Sequence, residues 1–492
     1  MTAQEANNVP ASNSVTFDSV PLRELWGGDR RFEGETYLTG GYRLRRLIES
    51  SGIPFAPMQQ FARVWQPGRL KGIPVSSNHG QPFFAATQVF DIRPTARKWL
   101  AAERTNQLAE RYVKQGCVLV TCSGSVGDAI LSYAPHEGVI ISHDLLRVEV
   151  HEQAFLGYMY AFLRSRYGRM MLRSSRYGNI IKHLEPEHLH EVPMPLLEED
   201  VYRMLTSRVK KVFQLRDEAY NLVREAEDLY STQLGAELLP APPEQGYSVQ
   251  SSALFRHQRR LDGFHYNPTA TGVLAALKAT GKQIEPLSKY VDSVFGVPRF
   301  KHIYVDGGIP YLDSEDLFKI NPEVSKFIPS ATKKDAEKYY VKKGWLLMAS
   351  SGQLYGLNGS VVLADAWHEN KIISNHVLRI IPRDIRAGYL QMVLNHPVYG
   401  RPLVLRLAFG TEVPEIPAED VRDFPVVRLA VDEETAIADR VERASALRMA
   451  ADEEENAIVT LVENIIESLL PNIIGEEIEG HEPLSDEDTA NG

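Results

Sequence analysis

A repeated order of short motifs, offset by a nearly constant distance, constrains this chain more than any other feature. Arg31–Tyr37 (RFEGETY) returns as Arg260–Tyr266 (RLDGFHY), and Pro82–Phe90 (PFFAATQVF) as Pro310–Phe318 (PYLDSEDLF). Tyr112–Gly116 (YVKQG) returns as Tyr340–Gly344 (YVKKG); each leads into an apolar run, CVLVT or WLLMA, that ends in Ser123-Gly124 or Ser351-Gly352. Ile141-Ser142, Tyr167-Gly168, Tyr177-Gly178 and Val192-Pro193 meet Ile373-Ser374, Tyr399-Gly400, Phe409-Gly410 and Phe424-Pro425. Offsets between 228 and 232 over this distance mark an internal duplication. The period is too long for a solenoid repeat, so each unit is a whole domain plus an appended helix.

The appended helix shows as a long periodic pattern after each block. Tyr202, Leu205, Val209, Val212, Ala219, Val223, Ala226 and Tyr230 step by threes and fours, as do Ile437, Val441, Ala444, Ala451, Ile458, Val462, Ile465 and Leu469. That rhythm is a coiled-coil seam. Each seam carries an arginine, Arg216 or Arg448, where an apolar residue belongs, which points to buried pairing with an opposite Glu or Asp that sets helix register. The expected order is a disordered N-terminus (1–15), a block (16–196), a helix (197–240), a second block (241–430), a second helix (431–470) and an acidic disordered tail (471–492). Inside the blocks, β-branched runs alternate with helix-like stretches such as Ala96–Tyr112 and Tyr158–Met171, so the fold class is α+β.

The net charge of −10 argues against a polyanionic partner until it is resolved by segment. Residues 1–196 and 241–430 each carry four more bases than acids, while residues 431–492 carry fifteen more acids than bases. The acidity lies in the helices and tail, and the two blocks are mildly basic. Two cysteines, Cys117 and Cys122, form no disulfide framework and match no zinc spacing, which points to a reducing cytosol. No apolar run is long enough to span a bilayer, and the polar start is unlike a signal peptide.

Taken in order, the motifs resemble the specificity (S) subunit of type I restriction–modification enzymes over residues 20–470. RLDGFHYNP (from Arg260), GIPYL (Gly308–Leu312), a strand ending in Ser-Gly, ISHDLLR (Ile141–Arg147), YGNIIKHL (Tyr177–Leu184) and a Val-Pro-type close carry the likeness. The first block's RFEG opening is looser than the second's, and the second has SGQLYG where the first has SGSVG, so the two blocks should read different sequences. The resemblance implies two target recognition domains, each reading half of a bipartite site in double-stranded DNA. It further implies that the helices pair antiparallel and that the chain docks methyltransferase subunits, which bring S-adenosylmethionine, and in some systems a restriction subunit that translocates DNA. The chain itself would then be non-catalytic and hold no cofactor.

DNA contact calls for phosphate-neutralising side chains away from carboxylates. Arg164, Arg166, Arg169, Arg173, Arg176 and Lys182 lie in a stretch without acids between Glu152 and Glu185, and Arg401 and Arg406 repeat it in part. Arg63, Arg69 and Lys71 lie in an acid-free segment, with Arg299 and Lys301 as their counterparts; arginine there can fork onto guanine. At Ser123-Gly124 and Ser351-Gly352, a residue without Cβ lets the backbone approach a phosphate, with the hydroxyl as donor.

Enzymatic signals are poor. There is no P-loop, Asn395–Tyr399 only echoes an amino-methyltransferase loop, and Ser123 has no placed histidine and acid. His183, Glu185, Glu187, His188 and His190 look metal-like but have no histidines at the matching positions of the second block, so no metal site is expected. The competing readings are a nuclease or methyltransferase with an unrecognised motif, and an assembly scaffold of an antiphage system that does not read DNA.

Overall fold

The computed structural model describes residues 34–175, 183–237, 246–255, 260–329 and 337–471, together with residues 20 and 22. The expected N-terminal and acidic tails (save Pro471), the proline break at 240–243, Arg176 and Lys182 lie outside these residues. The fold is α+β. In the first half, β1 (Ala62–Trp65), β2 (Val118–Thr121), β3 (Ala129–Leu131) and β4 (Leu145–Val150) form an antiparallel sheet in the order β1-β4-β2-β3. Val118, Val120, Leu146 and Val148 join one core cluster; Leu119, Ile130 and Leu145 join another on the opposite face. A sheet covered on both faces has no polar side, which is why CVLVT reads as a continuous apolar run.

After β4 come α1 (Leu156–Arg164) and α2 (Arg166–Ser175). All nine residues of α1 are buried, because it lies between the sheet and the first long helix, α3 (Glu199–Leu234). Gly157 sets the approach: a Cβ there would come within 2.2 Å of the Thr206 amide nitrogen. The Tyr158 hydroxyl donates to Pro195 O at 2.8 Å, tying α1 to the strand pair Phe55–Pro57 and Pro193–Pro195 that closes the block.

The second half repeats the main sheet, the helix after it and the closing strands in the same order. β5 (Val291–Phe295), β6 (Leu346–Ala349), β7 (Val361–Leu363) and β8 (Val377–Pro382) form a sheet in the order β5-β8-β6-β7, followed by α4 (Ala387–Asn395). The Tyr389 hydroxyl donates to Val427 O at 2.7 Å, as Tyr158 does to Pro195. Ile284–Pro286 pairs with Pro425–Val427 as the closing strands. Each half also has a smaller sheet in which Gln81–Phe84 or Ile309–Leu312 runs parallel to Ile140–Ile141 or Ile372–Ile373.

Arg147 and Arg379 show the correspondence at atomic scale. Both side chains are fully buried and form no ion pair among the described residues. Arg147 donates to the carbonyls of Ile141 and Ser142 at 2.9 Å and to that of Leu145; Arg379 donates to those of Ile373, Ser374 and Val377 at 2.7, 3.0 and 2.5 Å. Burial brings each guanidinium down to about 10.

The second long helix, α5 (Val431–Leu469), lies along α3 in the opposite direction: Arg208 meets Glu454 at 2.6 Å, and Arg440 meets Glu225 at 3.4 Å. At about 1.5 Å per residue the two helices, of 36 and 39 residues, are roughly 54 and 58 Å long. Gly235, at φ +58°, ends α3 earlier than the expected residue 240. The start of α3 and the end of α5 pack into the first half's core; the end of α3 and the start of α5 pack into the second's. On α5 the buried stripe runs through Glu455, Ile458, Val462 and Ile466, whereas the expected seam passed through Ile465 and Leu469.

One local expectation fails. Ala96–Tyr112 is not a helix: Lys98–Leu100 is a strand paired with Gln81–Phe83, followed by a short 3-10 turn and Leu108–Arg111. Sheet pairing overrides the helix propensity of its Ala, Glu and Arg.

Candidate nucleic-acid interface

In the first half, β1 and the loop after it carry Arg63, Arg69 and Lys71, all exposed. The loop is held from below: Asn106 accepts from Lys71 N at 2.7 Å and donates to Arg69 O at 3.1 Å, and Arg111 donates to Gly68 O at 2.7 Å. The Arg63 guanidinium lies 4.9 Å from the centre of the Trp65 ring. Among the described residues, Arg63, Arg69 and Lys71 form no ion pair. Gln66 donates to His143 O at 2.7 Å and to Cys122 Sγ at 3.3 Å, which brings this loop against the Ser123-Gly124 turn and the segment after Ser142. Burial, opposed by Asp144 and reinforced by Arg111 and Arg69, holds the His143 imidazole below its ordinary range. Gly124 has φ +74°, as the turn requires.

In the second half the same three segments converge. Gly352 has φ +123°, and its turn is tied by Asn358, which donates to the Gly352 and Pro414 carbonyls at 2.9 Å. Ser351 Oγ lies 2.9 Å from His376 Nδ1. Lys301 is exposed without an ion pair among the described residues; Arg299 is 74% exposed and meets Glu415 at 3.0 Å. An exposed pair of this kind is worth about 0–1 kcal/mol, so a phosphate can compete for the arginine. Sequence reasoning missed His143, His376 and the exposed aromatics Tyr355 and Phe409 near this turn. Phe409, three residues after Arg406, was open to the signal of aromatics interleaved with basic residues; Tyr355, with no Lys or Arg between Lys343 and Lys371, was not.

The other arginines chosen as phosphate contacts have different surroundings. Arg164 is buried, with Nε 3.2 Å from Glu455 and Nη2 3.7 Å from Glu323. Arg166 holds Glu467 at 2.5 Å, and Arg169 holds Glu323. Arg173 is half-buried beside Asp128. The local stretch has no acids, but α5 and the second half supply them; these side chains fasten parts of the chain together. Arg401 and Arg406 are half-buried, and burial lowers both guanidiniums, Arg401 to about 10.

On the helices, Val209, Val212 and Val441 are buried. Arg216 is buried against Asp452 and Glu455. Arg448, expected to pair likewise, is half-buried and has no ion pair among the described residues; of the acids near it, Asp452 is held by Arg216 and Glu227 by Arg93. Among the described residues, no group of three or more His, Cys, Asp or Glu could hold a metal ion, and no helix is long and apolar enough to cross a membrane.

No protein-family model and no curated protein matches the chain. Solved structures similar to it are type I restriction–modification S subunits. The S subunit from M. genitalium is 12% identical, with a TM-score of 0.33, covering 87% of this chain and 98% of that one. The HsdS subunit from Thermoanaerobacter tengcongensis is 14% identical, with a TM-score of 0.26, over 86% and 97%. A chain from a study of assembly and conformational transition in the type I system is 12% identical, with a TM-score of 0.26, over 87% and 98%.

Proposed function

We propose that this chain is the DNA-reading specificity subunit of a type I-like restriction–modification or related antiphage methylation system. The observation that carries the proposal is the recurrence, at opposite ends of an antiparallel helix pair, of one cluster: a basic loop, a Ser-Gly turn of positive φ and the segment after Ile-Ser. Two duplicated recognition domains, 16–196 and 241–430, would each place its cluster against one half of a bipartite site in double-stranded DNA. The seams of α3 and α5 would pair as a coiled coil. Protein twofold symmetry would then be mirrored in half-site spacing. Arg63, Arg69, Lys71, Arg299 and Lys301 supply phosphate or guanine contacts, and the Ser-Gly turns offer hydroxyl and backbone donors.

In this reading the chain is non-catalytic. Methyltransferase subunits bring S-adenosylmethionine, and a translocating restriction subunit joins where DNA is cut. A methylation map of the source genome, with and without the gene, tests the proposal: deletion should erase one gapped, two-part motif, and an unchanged map overturns it. A scaffold that holds defence proteins without reading DNA is the second reading. The engagement of Arg164, Arg166 and Arg169 in internal ion pairs favours it. DNA affinity of the chain bound to its methyltransferase separates the two.

A further inference from the structure

The two halves touch each other directly, away from the closing strands and over the middle of the helix pair. Ile92 N donates to Phe318 O and Ile320 N donates to Phe90 O, both at 2.7 Å, so Asp91 and Lys319 form an isolated antiparallel bridge. Phe90, Asp91 and Ile92 correspond to Phe318, Lys319 and Ile320 at the repeat offset of 228, and each segment pairs antiparallel with its own counterpart, so the contact is self-complementary about the pseudo-twofold axis. Side chains cross with the backbone. Ile320 packs in the first half's core and Ile92 in the second's. Glu323 reaches Arg164 and Arg169, Arg93 reaches Glu227 and the Asn395 carbonyl, and Asn321 donates to Asn456 at 2.9 Å. Beneath the bridge, Ile92, Ile320, Arg216 and Arg448 line one small cavity.

We infer that this bridge locks the two halves at one separation, and that the lock, rather than helix length alone, sets the single gap between half-sites that the protein accepts. The consequence for DNA rests on the function proposed above; the lock itself does not. One extra turn in both helices would move the halves apart by about 5.4 Å. A hydrogen bond of 2.7 Å does not survive such a displacement. Helix and bridge must therefore agree, and the bridge removes the slack that bending of the helices would otherwise allow.

Nitroxide labels on the full chain at Arg104→Cys and Lys342→Cys, both exposed positions, read the separation by pulsed dipolar spectroscopy; Cys117 and Cys122 are buried. The native bridge should give one narrow distance. Ile92→Pro with Ile320→Pro removes both amide donors and should lose it. Because prolines can impair folding, Glu323→Lys is the second variant, on a side chain 48% exposed. It should broaden the distance, and Arg169→Glu added to it should restore the narrow one. Selection from random duplexes should then show that the broadened variants accept neighbouring gap lengths with unchanged half-sites. Distances that superimpose on the wild type in folded variants overturn the lock. A narrow wild-type distance lost in the variants, with no two-part site selected by any of them, sustains the lock and removes only the DNA reading.

Discussion

Arg216 of α3 closes on Glu455 of α5 at the centre of the molecule, with 5% and 1% of the two side chains exposed. Arg216 also lies 3.0 Å from Asp452, and Glu455 accepts from the Tyr160 hydroxyl at 2.5 Å. Burial alone would raise the Glu455 carboxyl, but Arg164 and Arg216 outweigh it and hold it below the ordinary range. Arg216→Ala takes a partner from the buried Glu455 and the half-buried Asp452 and should cost about 3–5 kcal/mol, read as a lower urea midpoint. A depressed acid contributes stability above its unfolded value of about 4.3 and loses it as pH falls through the folded value. The gap between wild type and variant should therefore narrow below about pH 4.

Arg147 and Arg379 hold the same kind of carbonyl cage in the two halves. Arg147→Met and Arg379→Met each leave buried carbonyls unpaired, at about 1–3 kcal/mol apiece. Chemical denaturation should show losses of similar size. Hydrogen exchange should localise the first to residues 117–150 and the second to 345–382. A loss in only one half would show that the two cages do not serve the same end.

Asp91 sits in the bridge between the halves, and its carboxyl is pushed up to about 7, mainly by burial, against the opposing pull of Arg97. The folded state therefore keeps a proton that the unfolded state sheds near 4, so stability falls as pH rises from about 4 to 7. Asp91→Asn removes that dependence. Thermal melts should show the variant gaining on the wild type between pH 5 and pH 8, and parallel curves would refute the assignment.

Arg69→Ala and Lys71→Ala should weaken binding to all duplexes and lower the salt slope by about one per charge, because phosphate contacts carry no sequence information. Arg164→Ala should lower stability and leave the salt slope unchanged in the folded fraction. A reduced slope for Arg164→Ala would return that arginine to the interface.

Gly157→Ala places a methyl group 2.2 Å from the Thr206 amide nitrogen, a contact that backbone atoms must move to relieve. The expected cost is about 1–3 kcal/mol, checked by denaturant titration.

Much of the fold was legible because its signals are local and written twice. The strand CVLVT reads apolar throughout because both of its faces meet a core, and the steps from Tyr202 to Tyr230 face one partner helix. The Ser-Gly turns stand out for a similarly local reason, since a positive φ calls for glycine. Ala96–Tyr112 misled because its composition favours helix while its sheet partner, Gln81–Phe83, is invisible to a local window.

The sequence by itself determined the repeated order of motifs, the α+β class and the long helices, since periodicity and repetition need no knowledge of neighbours. Only the tertiary structure decided which basic residues are free. The acid-free run from Arg164 to Arg169 meets Glu323, Glu455 and Glu467, each more than 150 residues away in the chain. Tertiary structure also decided that Phe90–Ile92 and Phe318–Ile320 face each other. A charge is neutralised, and a backbone amide paired, by whatever folding brings within a few ångströms, and distance along the chain does not carry that information.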